Sequence, residues 1–262
     1  MIPKRLRVEF PGAGRQSIAG RLDVPADEPL AFAIFAHCFT CTKDLKAASW
    51  ISRELVDRRI AVLRFDFAGL GEGGGDFADT NFTSNLDDLV AAADFLRRDY
   101  RAPQILIGHS LGGTAVLVAA SRMPETRAVV TIAAPSETAH LREFLSRQAP
   151  DLAPDESAQV EVMGRPVRIK GQLLDDLRRY DIRQEIANLG HPLLIFHSPD
   201  DDIVLIDHAR RIFEAARHPK SFIALDGADH LLMARESDAR FVAEVLATWA
   251  RRYLAVPAYD RT

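Results

Sequence analysis

Residues 105–113 read ILIGHSLGG, and small residues suited to a helix follow at 114–120, TAVLVAA. A short apolar strand thus runs into Gly108-His109-Ser110-Leu111-Gly112, the G-x-S-x-G pattern, and then into a helix. The order strand, sharp turn, helix is what this pattern needs if the serine is a nucleophile. The turn at Ser110 is strained, so its neighbours must lack side chains for strand and helix to approach. The serine hydroxyl is then held out at the carboxyl edge of a sheet, above a helix N-terminus that favours developing negative charge.

Working outward, other apolar runs of strand length recur: AFAIFAH (31–37), AVLRFDF (61–67), QILIG (104–108), AVVTIA (128–133), PLLIFH (192–197) and SFIAL (221–225). Near-continuous hydrophobicity of this kind marks a parallel sheet covered on both faces. Two alternating segments near the start, RLRVEF and SIAGRLDV, predict an antiparallel edge pair. Helical periods lie between the runs. The clearest places Leu86, Leu89, Val90, Ala93 and Leu96 on one face, with Ser84 as N-cap and Asp87 at the capping-box position. Strands alternating with helices predict a mostly parallel, doubly wound α/β sheet.

One stretch breaks the rhythm. AVVTIA and PLLIFH are separated by far more chain than one crossover helix needs. Within it Val160, Val162, Val167 and Ile169 alternate about Gly164, which predicts a β-hairpin, and Leu173, Leu174 and Leu177 predict an amphipathic helix. Residues 136–190 are expected to form a cap inserted into a single domain that spans 1–262. Its apolar residues Leu141, Phe144, Leu145, Met163, Leu173, Leu174 and Tyr180 are expected to divide between packing and roofing a pocket over Ser110.

A serine hydroxyl needs a base to take its proton, and the base needs a third group to orient it. In this arrangement acid and then histidine follow the serine, each just past a later strand. His230, in the loop after SFIALDG, is the expected base. His208 and His218 flank a surface-type helix and read as solvated or capping. His191 and His197 bracket a strand and read as packing groups, and His109 as a support for the turn. For the acid, Asp200, Asp201 and Asp202 are consecutive, and spacing does not choose among them. Asp226 and Asp229 read as turn formers. Donors for the oxyanion are expected from the backbone N–H of Leu111 and, in the loop after AFAIFAH, of Phe39.

Two patterns mislead. Gly69-Leu70-Gly71-Glu72-Gly73-Gly74 matches G-x-G-x-x-G, but GDFADTNFT follows where a pyrophosphate-binding helix should begin. Cys38 and Cys41 have C-x-x-C spacing without a helix opening at the motif or further metal ligands nearby, so they read as small, buried oxyanion-loop cysteines, reduced in a cytoplasmic setting because so short a disulfide loop would add little to a protein of this size. Neither a metal nor an organic cofactor is expected.

Composition narrows the partners. Hydrophobic residues make up 47% of the chain, and 33 basic against 37 acidic side chains leave a net charge of -4. That balance gives no reason to expect nucleic acid or an anionic membrane. The apolar runs are too short to span a bilayer, and MIPKRLRVEFPG has no apolar core of a secretory signal. With only two cysteines, a cytoplasmic location is expected; a homodimer is left open.

AHCFTCTKD (36–44), RFDFAGLGEGGGDF (64–77), GHSLGG (108–113), FHSPDDDIV (196–204) and HPKSFIALDGADHLL (218–232) together resemble serine esterases of the α/β-hydrolase superfamily. More closely they are similar to the hydrolase half of bifunctional α/β-hydrolase/OsmC proteins. The resemblance implies the α/β-hydrolase fold with a hairpin-bearing cap, as in capped feruloyl-type esterases. It also implies a triad acid at Asp201, from the pattern H-x-x-x-D-x-x-V over His197, Asp201 and Val204. Where many esterases have His-Gly-Phe, this chain has His37-Cys38-Phe39. The resemblance further implies an OsmC-type partner that these residues do not include, so the chain is expected to be a stand-alone relative or an excised domain. The expected activity is hydrolysis of a small-molecule ester through Ser110, Asp201 and His230. Acyl transfer or perhydrolysis, and a non-catalytic binding module, are the competing readings.

Overall fold

The structure is a computed structural model describing residues 2–162 and 164–254. Alternating side chains set its first two strands, β1 (Lys4–Pro11) and β2 (Ser17–Val24), which pair antiparallel with Phe10 opposite Ile18. The apolar runs become β3 (Ala31–Ala36), β4 (Ile60–Phe65), β5 (Ile105–His109) and β6 (Ala128–Ile132), every residue of which is buried. After them come the hairpin β7 (Ser157–Val162) and β8 (Arg165–Lys170), then β9 (Leu193–His197) and β10 (Lys220–Ala224). Eight strands form one sheet in the order β1-β2-β4-β3-β5-β6-β9-β10, parallel from β4 to β10.

Because side chains alternate along a strand, each buried strand feeds two cores. Ile34, Leu63 and Leu106 point into one, with Leu89 of α2 (Phe82–Asp99) and Val116 of α3 (Leu111–Ala119). Phe35, Val62 and Ile107 point into the other, with Ile51 of α1 (Lys46–Asp57) and Leu246 of α8 (Glu236–Leu254). Helices on both faces explain why these strands are apolar throughout rather than at alternate positions.

The start of α2 differs from the expectation of Ser84 as N-cap. Asn81, extended at φ -152°, is the cap; its side chain accepts the Ser84 N–H while the Ser84 hydroxyl accepts the Asn81 N–H. Ser84 is therefore the third helical residue of a capping box that begins one turn earlier. Asp87 lies beyond it and pairs with Arg122.

Between the neighbouring strands β6 and β9 lie α4 (Ala139–Gln148), the β7–β8 hairpin, α5 (Gly171–Asp176) and α6 (Ile182–Ala187). The hairpin turns at Gly164, whose φ of +74° suits glycine. Val160, Val162 and Ile169 are buried, as the alternation predicts. The insertion is tied to the start of α2 by polar contacts. Asp176 accepts the Thr83 N–H at 2.8 Å and its hydroxyl at 2.7 Å, and Gln172 bonds both Asn81 and Thr80. Last, α7 (Asp207–Ala215) crosses from β9 to β10. No described helix is long and apolar enough to cross a membrane.

Candidate active site

The elbow is as strained as its sequence demands. Ser110 has φ +54° and ψ -125°, in the region that L-residues avoid. A Cβ on Gly108 would lie 2.2 Å from the Gly112 carbonyl oxygen, and one on Gly112 2.4 Å from the carbonyl oxygens of Ala36 and His37. Glycine at both positions is what lets α3 close onto β5 and β3.

At the carboxyl ends of the strands three side chains converge. His230 Nε2 lies 3.1 Å from Ser110 Oγ, and His230 Nδ1 lies 2.7 Å from Asp201 Oδ2. Asp201 Oδ1 accepts the N–H groups of Ile203 and Val204, both at 2.9 Å. Burial alone would push the Asp201 carboxyl up. The hydrogen bond from His230 and the two backbone donors outweigh it and hold the carboxyl below its ordinary value. Asp201 is thus kept as a carboxylate facing His230 Nδ1, while His230 Nε2 is turned to Ser110 Oγ.

Of the three consecutive aspartates Asp201 is the one in contact with His230, and its neighbours go elsewhere. Asp200 Oδ2 accepts the Gly227 N–H at 2.9 Å and links the acid loop to the histidine loop. Asp202 is exposed on the wall of the cavity. Asp229 accepts the N–H groups of Met233 and Ala234, a turn-forming role.

Two buried histidines brace these loops. His109 Nε2 lies 2.7 Å from the His230 carbonyl oxygen, so it supports the His230 loop as well as its own turn. Burial, then the nearby His230, lowers its pKa to about 3. His197 Nε2 donates to the Val204 carbonyl at 2.7 Å, and burial lowers its pKa too. His208, expected to be solvated or capping, is buried, and its Nδ1 accepts the Ser136 N–H at 3.2 Å just past β6.

The loop after β3 corrects the reading of the cysteines. Cys38 and Cys41 are joined in a disulfide rather than reduced. A turn closed by the Cys41 N–H on the Cys38 carbonyl, with Thr40 at φ +62°, brings their Cα atoms to 5.2 Å, within bonding range. Phe39 sits between them. Among the described residues, neither the Phe39 nor the Leu111 N–H has a protein acceptor.

The sequence reading missed what holds this loop from below. Asp66 accepts the Lys43 N–H and the Lys43 ammonium, each at 2.6 Å, and the Glu72 N–H at 2.9 Å. Burial pulls the Lys43 pKa down, but the bonds to Asp66 and Glu72 outweigh it and leave it raised. Arg64, fully buried, bonds the Lys43 carbonyl and Asp23. The signal was visible as two charged residues, Arg64 and Asp66, inside the apolar run AVLRFDF. Of the misleading glycines at 69–74, Gly71 packs against this same carboxylate, and a short turn at Phe77–Asp79 follows them rather than a phosphate-binding helix.

Ser110 and His230 face a cavity of about 320 Å³ walled by Phe39, Leu141, Phe144, Val162 and Ile203. Leu141 and Phe144 are the two expected roof residues that reach it. Leu145, Leu173 and Leu174 are core, Tyr180 bonds Thr83, and Met163 lies outside the described residues. A larger cavity of about 650 Å³ opens beside α4 and α7, lined by Arg142, Arg183 and Arg211, and none of Ser110, Asp201 or His230 reaches it.

Residues 33–245 match the alpha/beta hydrolase family, and the chain belongs to it. Among solved structures it is similar to the esterase domain of a Rhodothermus marinus protein, 48% identical with a TM-score of 0.81 over 96% of this chain and 100% of that one. Est1E of Butyrivibrio proteoclasticus, solved with ferulic acid bound, shares the fold at 18% identity and a TM-score of 0.81, covering 95% of this chain and 100% of that one. Among curated sequences, the uncharacterized protein YfhR of Salmonella typhimurium is 28% identical over 68% of this chain. The chain spans 57% of that relative's length.

Proposed function

We propose that this chain is a serine esterase that cleaves carboxylic esters of short, medium or small aromatic acyl groups through an acyl-enzyme. The observation that carries the reading is the hydrogen-bonded run from Ser110 through His230 to Asp201 at 3.1 and 2.7 Å. In the proposed cycle His230 Nε2 takes the Ser110 proton as Oγ attacks the ester carbonyl. The Phe39 and Leu111 N–H groups hold the oxyanion; losing one such donor typically costs about 10²–10³ in rate. His230 then protonates the departing alcohol, and the same base activates water to release the acid. The cycle calls for no metal or organic cofactor.

Residues 136–190 act in this reading as a cap on the single hydrolase domain, and the apolar cavity beneath them sets acyl size. The finer resemblance to hydrolase halves of OsmC fusions bears on a partner and leaves the chemistry at Ser110 unchanged. The similarity to an esterase domain at 48% identity supports ester hydrolysis over a binding module. The test is hydrolysis of p-nitrophenyl esters by the purified chain, with Ser110→Ala as comparison. Turnover lost in the variant supports the reading, and turnover within a few-fold of wild type overturns it.

A further inference from the structure

The consecutive aspartates after β9 divide their work unevenly. Asp200 is bonded to Gly227, and Asp201 to His230 and two backbone N–H groups. Asp202 is exposed and makes no hydrogen bond or ion pair with any described residue, yet it lines the cavity that Ser110 and His230 share. Around it the wall is apolar: Leu141, Phe144, Val162 and Ile203. Among the described lining residues there is no lysine or arginine, and His140 is the one other titratable side chain apart from His230. A ligand in this cavity therefore meets one uncompensated carboxylate over an apolar surface. Low-dielectric walls focus the field of such a group onto whatever enters.

We propose that Asp202 makes this pocket a charge filter, one that favours acyl groups carrying a positive charge on an apolar stem and rejects acyl groups carrying a carboxylate. This rests on the esterase reading of the same site, which assigns the pocket to the acyl group. Asp202 is a specificity residue here and takes no part in the proton transfers. An ion pair open to water shifts an equilibrium only a few-fold, and repulsion of an anion adds a similar factor, so the spread between oppositely charged substrates is about tenfold. It shrinks as salt screens the charges.

The experiment compares kcat/KM for three p-nitrophenyl esters of matched length. One carries a terminal trimethylammonium group, the second a tert-butyl group of the same shape, and the third is the half-ester of adipic acid. Ratios within one enzyme form cancel any disturbance that a substitution at Asp202 passes to its neighbour Asp201. Wild type is expected to rank them cationic, neutral, anionic, with the spread narrowing on added sodium chloride. Asp202→Asn collapses the spread and Asp202→Lys inverts it. An unchanged ranking in both variants overturns the filter while leaving the esterase reading intact, as does an anionic ester as the best wild-type substrate. If wild type turns over none of the three, the esterase reading fails and takes the filter with it.

Discussion

His109 Nε2 bonds the carbonyl oxygen of His230 at 2.7 Å across a sequence separation of 121 residues. The residue beside the candidate nucleophile thereby grips the backbone of the candidate base. Only a neutral imidazole sits comfortably there, since burial is the main cause lowering its pKa from 6.5 to about 3. His109→Phe is expected to lower kcat with little change in KM, because the base is misplaced while the pocket wall is untouched. His109→Gln, which keeps an N–H donor, restores part of the rate. Steady-state kinetics on the three forms checks this.

The same histidine predicts the acid limb of stability. Its folded pKa of about 3 lies below the unfolded 6.5, so in that window the unfolded chain binds the extra proton. Stability therefore falls as pH drops from 6.5 towards 3, by about 1.4 kcal/mol per pH unit for one such group. Asp201, also lowered, adds its loss only at the acid end of that range. Burial raises the Asp88 carboxyl from 3.8 to about 6, which works the other way between those values, so the check is a comparison of urea midpoints: wild type should lose more stability towards pH 3 than His109→Gln.

Asp201→Asn should cost about 10⁴ in kcat, because an amide facing His230 Nδ1 favours the wrong tautomer. Asp200→Asn disturbs only the link to Gly227 and should cost far less. Pre-steady-state and steady-state rates on one p-nitrophenyl ester compare the two; a larger loss at Asp200 would mean that the acid is misassigned.

Asp66→Ala leaves the Lys43 ammonium, 2% exposed, with only the outward-facing Glu72 and Asp44 carboxylates. Breaking a buried ion pair from one side costs about 3–5 kcal/mol, and those remaining partners place this variant at the lower end. Lys43→Met/Asp66→Ala should lose less than the two single changes summed. Chemical unfolding of the four forms measures it.

Much of the fold was legible because its signals are local. Near-continuous apolar runs mark β3 to β6, and glycines at 108 and 112 mark a turn where any side chain would clash. Ser110 and His230 were legible for the same reason, as each follows a recognisable strand. What stayed hidden depends on residues far apart in sequence. The bond from His109 to His230 and the pairing of Lys43 with Asp66 exist only once the sheet order is set. The Cys38–Cys41 bond was misread on an argument from compartment, whereas the local turn at Thr40 decides it. Ser84 was misread as a cap because Asn81, which leads the capping box, precedes the apolar period by several residues.

The cavity of about 320 Å³, closed on one side by Leu141 and Phe144, predicts the acyl preference. Across p-nitrophenyl esters from acetate to palmitate, kcat/KM should peak at short or medium chains. The peak should be graded, since one methylene is worth about 1–3 kcal/mol. Phe144→Ala should move it to longer chains, and a wild-type maximum at palmitate would contradict the roofed pocket.

The central claim is that Ser110 is an activated nucleophile, and covalent labelling tests it most directly. The protein is treated with a fluorophosphonate, digested and mapped by mass spectrometry. A single adduct is expected on the peptide that carries Ser110, absent in Ser110→Ala and strongly slowed in His230→Ala. A native, folded protein that takes up no label, or takes it at another residue, would contradict it.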